Sequence, residues 1–305
     1  MKTNLFRKLL YAKGVNFILR NALRPFKSIL PKSFLIPTNG VIKINLDKDK
    51  SIFIDGNQTC FVTRLLFWHG IKGYEHNVVK IFVKMISEMN CFFDVGANVG
   101  YYSFLAYKYN PNVNIYSFEP SPGTYNYLVR NIKLNDAYQY VIPLRLALSN
   151  FEGESVFFQH YNSKVHEINQ QLGGSSSLSV DDSEKQNYVK IKVNVTTMDK
   201  FVFENNIKKV DFIKLDTEAT EHLILEGGIN VLKKFKPIII CEVLKNKIET
   251  NLEVFFDSIG YEYYRVNEKG LQHMKKLHFE TYKEDIFFIH PDKIQFINKY
   301  LYDAR

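Results

Sequence analysis

The stretch Phe92-Phe93-Asp94-Val95-Gly96-Ala97-Asn98-Val99-Gly100, followed nineteen positions later by Glu119, decides the fold. Residues 91–95 form an apolar run around Asp94 and read as a buried parallel strand. The run enters a glycine-punctuated turn. Residues 101–109 then read as a helix, and residues 113–118 as a second strand with Glu119 at its tip. That order is a strand–turn–helix–strand unit. Gly96 allows backbone angles closed to other residues and lets a ligand approach the main chain. Gly100 permits close helix–strand packing, and the free amides at the helix start favour a carboxylate or phosphate. Glu119 stands where such folds hold the two hydroxyls of a ribose. A dinucleotide site would carry G-x-G-x-x-G. Here Gly96-Ala97-Asn98-Val99-Gly100 lacks the middle glycine that makes room for a pyrophosphate, and Asp94 suits an ammonium group. The pocket therefore favours S-adenosylmethionine over NAD. The alternative is an ordinary tight turn, with Glu119 a solvated strand end.

Working outward, the 305 residues are 46% hydrophobic with 25 Phe and 19 Tyr, enough for one large domain with an appendage. No stretch approaches the apolar length needed to span a bilayer. The basic start lacks a compact apolar region and a small-residue cleavage site, so no cleaved signal peptide is expected. Cys60, Cys91 and Cys241 show neither metal-ligand spacing nor a disulfide framework, and are expected as buried thiols in a reducing, cytoplasmic protein. Residues 1–46 hold nine basic side chains (Lys2, Arg7, Lys8, Lys13, Arg20, Arg24, Lys27, Lys32 and Lys43) and no acid. The net charge of +8 is therefore N-terminal, since +8 minus +9 leaves −1 for the remainder. Leu5, Phe6, Leu9, Leu10, then Val15, Ile18, Leu19, Ala22 and Leu23 follow helical spacing, with Gly14 breaking the phase. Such a helix can make peripheral contact with an anionic membrane through residues 1–30, or hold a phosphorylated substrate. It can equally dock on the domain and leave a solvated basic face.

Residues 41–46 and 51–54 alternate as a hairpin around 47–50, and residues 74–89 have helical periodicity. A strand is expected at 140–146. Ser121 and Pro122 open a helix to residue 134, with Ser121 as cap. Strands over 154–160 and 189–195 flank a polar stretch, 161–187, that contains Gly173-Gly174-Ser175-Ser176-Ser177 and reads as a lid. Thr197 can cap a helix over 198–205. A strand over 210–216 leads to a helix over 218–234, and a buried strand over 237–243 to a helix over 249–258. Residues 261–266 and 285–290 form a final strand pair around a long excursion, before a C-terminal helix from residue 292. Alternating strands and helices imply a mostly parallel sheet with helices on both faces.

Ligands in such sheets bind beyond the carboxyl ends of the strands. Asp94, Glu119, Asp216, Glu218 and Glu242 all fall at or near those ends. Asp216 could also be a helix N-cap and Glu218 a first-turn acid favoured by the helix dipole; Glu221 and His222 read as helix residues near the site. Methylating a hydroxyl needs that hydroxyl in line with the sulfonium methyl, and a carboxylate or histidine to take its proton. No metal is required. Asp216 is the first choice for acceptor binding or base and Glu242 the second, with Glu218 beside them. His69, Tyr74 and Glu75 precede the nucleotide unit and can close over the cofactor, His69 being the weaker catalytic choice.

At these residues the chain resembles FkbM-type methyltransferases. The resemblance lies in Asp94-Val-Gly-Ala-Asn-Val-Gly-Tyr-Tyr-Ser103, Ser117-Phe-Glu-Pro120, Ala147-Leu-Ser149 with Glu152-Gly153, and Thr196-Thr-Met-Asp199. It continues in Phe212-Ile-Lys-Leu-Asp-Thr-Glu-Ala-Thr-Glu221 with Leu225-Glu-Gly227, and upstream in Trp68-His-Gly70 and Gly73-Tyr-Glu75. It covers residues 41–290 and implies a class I, Rossmann-like α/β methyltransferase fold. That fold has a seven-stranded, mostly parallel sheet with its last strand antiparallel, and the implied reaction is S-adenosylmethionine-dependent O-methylation. Family acceptors include sugars and polyketide-derived alcohols. The expected cofactor set is Asp94, Gly96, Asn98, Gly100, Glu119, Pro120, Ser121, Ala147, Leu148, Asp216 and Glu75. Where the family carries Glu-Gly, this chain has Glu218-Ala219, whose added methyl is expected to narrow the acceptor pocket. The layout is then a basic extension (1–40), a hairpin and helix packed on the core (41–89), and the cofactor-binding domain (90–305).

Two other classes compete. Base-amino methylation uses an Asn/Asp-Pro-Pro-aromatic turn where this chain has Asp216-Thr-Glu-Ala219, and cytosine chemistry uses Pro-Cys where Ile240 precedes Cys241. Nucleic acid is thus disfavoured as acceptor, leaving only a ribose 2′-hydroxyl of RNA. A non-catalytic, membrane-associated binding protein on the same fold is the other alternative, and intact Asp94 and Glu119 argue against it. The favoured acceptor is a hydroxyl of a sugar, glycan or glycolipid precursor at the cytoplasmic membrane face.

Overall fold

The computed structural model describes residues 9–31, 34–162, 171–172, 174, 176–179, 185–279 and 281–302. Most of the expected lid and the first eight residues lie outside these. A helix α1 (Lys13–Leu23) precedes a hairpin of β1 (Gly40–Asn45) and β2 (Ser51–Gly56), then α2 (Phe61–His69) and α3 (His76–Ile86). The expected unit follows as β3 (Cys91–Val95), α4 (Tyr101–Tyr109) and β4 (Asn114–Phe118), continued by α5 (Pro122–Leu134) and β5 (Val141–Leu144). Next come β6 (Ala147–Leu148), β7 (Gly153–His160), β8 (Tyr188–Thr196) and α6 (Met198–Glu204). The second half holds β9 (Phe212–Leu215), α7 (Glu221–Glu226), α8 (Ile229–Phe235), β10 (Ile238–Leu244) and α9 (Glu249–Ser258). It closes with β11 (Glu262–Asn267), β12 (Gly270–Met274), β13 (Lys283–Ile289) and a short α10 (Ile294–Ile297).

The main sheet runs β12-β11-β13-β10-β9-β3-β4-β5. Strands β5, β4, β3, β9 and β10 are parallel, and β13 is antiparallel to both β10 and β11. Strands buried on both faces need cover on both. Phe92, Phe212 and Ile240 enter one core with Phe82 and Phe104; their neighbours Phe93, Ile213 and Ile239 enter a second with Phe201 and Phe256.

Several expectations are corrected. The sheet has eight strands, not seven. Asn267 Oδ1 accepts from the amides of Lys269 and Gly270 at 2.8 and 3.0 Å, so the expected excursion turns back as the edge strand β12. The strand expected over 140–146 stops at Leu144, and the chain crosses to a separate three-stranded sheet, β6-β8-β7. Pro143 is tolerated because β5 is an edge strand. The helix expected over 74–89 spans only His76–Ile86. The single helix expected over 218–234 breaks into α7 and α8 at Gly227-Gly228, where a Cβ on Gly227 would stand 2.0 Å from the Ser149 carbonyl. Ser121 is the N-cap residue of α5, as expected, but its hydroxyl makes no capping bond and donates instead to Gln159 Oε1 at 3.2 Å. Thr197 does cap α6, accepting from Lys200 N at 3.1 Å. Helix α1 docks through Asn16 and Arg20, which are buried, so its basic face is not wholly solvated. Among the described residues no helix is long and apolar enough to cross a membrane.

The hairpin shares the first core with α2, α3 and α4. Asn131 of α5 and Asn135 just after it also bind the hairpin backbone as a neighbouring strand would. Asn135 takes Phe53 N and O at 2.9 and 2.7 Å. Asn131 takes Asp55 N and O at 2.7 and 3.1 Å and reaches Val99 O at 2.9 Å. Replacing Asn131 with Ala leaves these buried groups without partners, each worth roughly 1–3 kcal/mol. Denaturant unfolding of Asn131→Ala should show a loss of about 2–4 kcal/mol at unchanged m-value; a loss near zero would mean water replaces the clamp.

Candidate active site

The carboxyl ends of β3, β4, β9 and β10 open on one cavity of about 600 Å³. Its floor is the turn after β3. Gly96 has φ +81°, and a Cβ there would stand 1.9 Å from the Asp216 carbonyl, so no other residue fits between the two strand ends. The amides of Gly96 and Ala97 both bond Phe118 O at 3.0 Å, folding the turn over β4. Glu119 then faces the cavity with one carboxylate oxygen accepting from Asn98 N at 3.0 Å and the other from Ser121 N at 2.9 Å. Burial pushes the Glu119 carboxyl up to about 7, against the pull of those two amides. Asn98 lies at φ +51°, lines the cavity and has a buried Oδ1 without a hydrogen-bond partner. Pro120, Ala147 and Leu148 also line the cavity.

A second group of charges lines the β9–β10 side. One oxygen each of Glu75, Asp216 and Glu242 lies within 4.8 Å of the others. Lys214, in the middle of β9 and 1% exposed, places Nζ 3.7 Å from Glu75 Oε2, 3.6 Å from Asp216 Oδ2 and 3.2 Å from Asp285 Oδ1. Burial alone would lower this ammonium, but Asp285, Glu75 and Asp216 hold it well above its ordinary value. Glu75 sits at φ +45° before α3, accepts from Tyr102 Oη at 2.5 Å, and is raised to about 7 chiefly by burial. Glu242 stands opposite Asp285 on β13 and pairs with Lys283 through one oxygen; its other oxygen is buried without a partner. Burial and Asp216 push the Glu242 carboxyl up to about 9. Glu218, likewise raised to about 7 by burial, lines the same side.

The structure brings together Glu75, Gly96, Asn98, Glu119, Pro120, Ala147, Leu148, Asp216, Glu218 and Glu242. Asp94, Gly100 and Ser121 lie behind the cavity wall. Asp94 is 3% exposed and accepts from Ser103 Oγ at 2.5 Å, so it braces the turn from beneath. His69 is exposed at the end of α2, outside the cavity, and does not join the carboxylates. Asp216 is not an N-cap, because α7 starts only at Glu221. Glu221 folds the loop after β9, its Oε1 accepting from Thr217 N and Oγ1 at 2.8 and 3.0 Å. In that loop Glu218 and Ala219 have φ +57° and +72°. Ala219 packs on the second core and does not line the cavity, so its departure from the family pattern strains the backbone and leaves the pocket width alone. Lys214, Lys283 and Asp285 join the site without standing out in the sequence. The one signal for Lys214 is a lysine inside an otherwise apolar strand.

A doubly wound sheet with a reversed strand β13 and a carboxylate at the tip of β4 defines a class I methyltransferase-like α/β protein. The methyltransferase FkbM domain profile matches residues 94–282, and the chain belongs to that family. It is 25% identical over 166 residues to hexuronic acid methyltransferase AglP of Haloferax volcanii, covering 54% of this chain and 61% of that protein. It is 27% identical over 154 residues to methyltransferase sdnD of Sordaria araneosa, covering 44% and 58%. The chain thus spans about three-fifths of the curated relatives it matches. A methyltransferase FkbM structure from Methylobacillus flagellatus KT aligns at 12% identity and TM-score 0.42 over 66% of this chain and 43% of that one. The cavity's lining fits the family's cofactor, S-adenosylmethionine: a carboxylate to accept from ribose hydroxyls, the unpartnered acceptor on Asn98 and an apolar wall.

Lys214 is the counter-charge for the whole β9–β10 side. Removing one partner of a buried ion pair costs about 3–5 kcal/mol. Lys214→Met should lower unfolding free energy by that amount at pH 8. The deficit should narrow as pH falls toward about 7 and level off below it: Glu75 is raised to about 7 with Lys214 beside it and higher without it, so the variant takes up the proton first and loses the uncompensated charge. Denaturant titrations at several pH values check this; a pH-independent deficit would mean packing, not charge, is what the lysine supplies.

Proposed function

We propose that the protein is an S-adenosylmethionine-dependent O-methyltransferase acting on a hydroxyl of a sugar, glycan or glycolipid precursor at the cytoplasmic membrane face. The observation that carries this reading is a single cavity with two chemically distinct ends, Glu119 and Asn98 at one and Asp216, Glu218 and Glu242 at the other. When bound, the cofactor supplies an electrophilic methyl group. Glu119 would accept hydrogen bonds from the ribose hydroxyls, and Pro120, Ala147 and Leu148 would line the side that takes the base. Gly96 leaves the main chain bare, and Asn98 Oδ1 takes a donor.

At the other end the acceptor hydroxyl would give up its proton as its oxygen bonds the methyl carbon, the carbon–sulfur bond of the sulfonium breaking and the sulfur leaving as a neutral thioether. Asp216 is the base in this reading. Of Asp216, Glu218 and Glu242 it alone meets the Lys214 ammonium, and its side chain keeps 23% exposure toward the cavity. Glu242 and Glu218, pushed up by burial, donate hydrogen bonds in their protonated forms and orient the acceptor. The acidic side chains of Glu75, Asp216, Glu218, Glu242 and Asp285 line the cavity and offer several hydrogen-bond partners to a polyhydroxyl ring. The hexuronic acid named for the Haloferax relative supports a sugar acceptor in general. Free, buried Cys60, Cys91 and Cys241 support a reducing compartment.

The decisive experiment uses methyl-labelled cofactor with separate panels of nucleotide sugars, lipid-linked glycans and RNA. Label in a sugar methyl ether supports the reading. Label in RNA ribose replaces the acceptor, and no cofactor binding by calorimetry leaves only a scaffold. Asp216→Asn should lower kcat by about 10²–10⁴ while sparing cofactor affinity. An equal loss of both would move Asp216 to the cofactor side.

Cofactor affinity should also depend on pH. A carboxyl raised to about 7 is neutral below that pH and ionised above it, and only the ionised form accepts from both ribose hydroxyls. Calorimetry from pH 8 to pH 6 should show weakening for the native chain. Glu119→Gln should bind roughly 10–100-fold more weakly and with a flatter profile.

A further inference from the structure

Helix α1 is mounted with its polar residues inward. Asn16 and Arg20 are 0% and 1% exposed. Asn16 Nδ2 donates to Pro37 O at 2.9 Å, and its Oδ1 accepts from Asn39 N at 2.8 Å. Arg20 donates to Val41 O at 2.8 Å and lies 5.0 Å over the Phe67 ring. With the half-buried Leu23 these form one i, i+4, i+7 stripe against the domain. The apolar set Val15, Ile18, Leu19 and Ala22 has the i, i+3, i+4, i+7 spacing of a core-facing stripe. Yet it stands about 100° round the helix from the contact, and Val15, Ile18 and Leu19 are 39%, 67% and 38% exposed. The turn that follows adds Phe26 and Ile29 at 54% and 78%. Lys13, Arg24 and Lys27 are exposed beside them, and residues 1–46 contain no acid. A protein partner of mixed charge would need acids here as well as bases; a uniformly basic, apolar flank complements a uniformly anionic, apolar surface.

We infer that α1 and the turn after it dock this protein on an anionic membrane, lying in the headgroup plane with Ile18, Leu19 and Ile29 immersed. Docking places the cavity near the lipid surface. Arg20 and Arg24 stack on Phe67 and Lys27 donates to Trp68 O at 3.0 Å, both on α2. The same α2 gives Phe61, Val62 and Leu65 to the cavity wall, and Phe61 is 57% exposed. The acceptor delivered there is a lipid-anchored glycan, a step that rests on the reading of the cavity as a sugar methyltransferase site, whereas docking does not.

Co-sedimentation of the full chain with vesicles tests the surface directly. The native chain should bind phosphatidylcholine vesicles containing a quarter phosphatidylglycerol, bind pure phosphatidylcholine weakly, and lose binding at high salt. The double variant Ile18→Glu/Leu19→Glu should bind the anionic vesicles at least about tenfold more weakly, since two apolar anchors are lost. Its cofactor affinity should be unchanged, which shows that the fold and the cavity survive. Vesicle binding equal in variant and native chain would overturn the proposal. So would absence of binding by the native chain, or a concentration-dependent dimer dissolved by the same variant. Vesicle binding without methyl transfer to any lipid-linked glycan would leave the docking surface standing and refute the lipid-anchored acceptor alone.

Discussion

The buried ammonium of Lys214 is the constraint around which the β9–β10 side of the cavity is arranged. A lone charge in the middle of a central strand is strongly disfavoured unless it is paired. Lys214 meets three carboxylates from three separate places in the chain: Glu75 before α3, Asp216 after β9 and Asp285 on β13. Each of those carboxylates is itself poorly solvated, so each needs the lysine as much as it needs them. The result ties the upstream α3 to the sheet edge and fixes the reversed strand β13 beside β10. Few arrangements satisfy four charges at once, which gives the site geometric definition where apolar packing alone would allow sliding.

The two ends of the cavity are stabilised by different means. At the cofactor end, backbone amides of Asn98 and Ser121 hold Glu119, and the left-handed Gly96 lets the strand ends meet. That end is rigid because main chain makes it. At the acceptor end, side chains make the site, and Glu75, Glu218 and Ala219 hold left-handed backbone without being glycine. Strain of roughly 1–3 kcal/mol at such residues persists only where surrounding contacts over-determine them. Here Glu221 bonding Thr217 supplies one such contact for the loop, and Tyr102 bonding Glu75 supplies another.

Much of this is legible in the chain. The period of the apolar residues locates β3, β4, β9 and β10, and the glycine turn with Glu119 locates the cavity. What the sequence hides, it hides for physical reasons. Lys214 escapes notice because a single sequence shows a lysine's neighbours along the strand, not the carboxylates across it. Asp94 reads as a ligand because its position matches an ammonium site; only the packing of Ser103 beneath it reveals a brace. His69 looks like chemistry because it is titratable and precedes the site, but the end of α2 turns it to the outside. The break between α7 and α8 is signalled by Gly227-Gly228, yet what requires glycine at 227 is the distant Ser149 carbonyl packed against it.

The N-terminal helix shows the limit of periodicity most clearly. A helical pattern of apolar residues states that the helix has two faces, but not which of them meets the protein. Burial of the apolar face is the usual outcome because it removes the most surface from water. Here the contact side is instead made by Asn16 and Arg20, whose hydrogen bonds to Pro37, Asn39 and Val41 are directional and fix both the register and the roll of the helix. Apolar packing would have allowed rotation until Ile18 and Leu19 were covered. A hydrogen-bonded mount prevents that rotation and keeps them exposed. Leaving apolar side chains in water lowers the stability of the isolated chain, so such a mount is retained to advantage only where another apolar phase receives them.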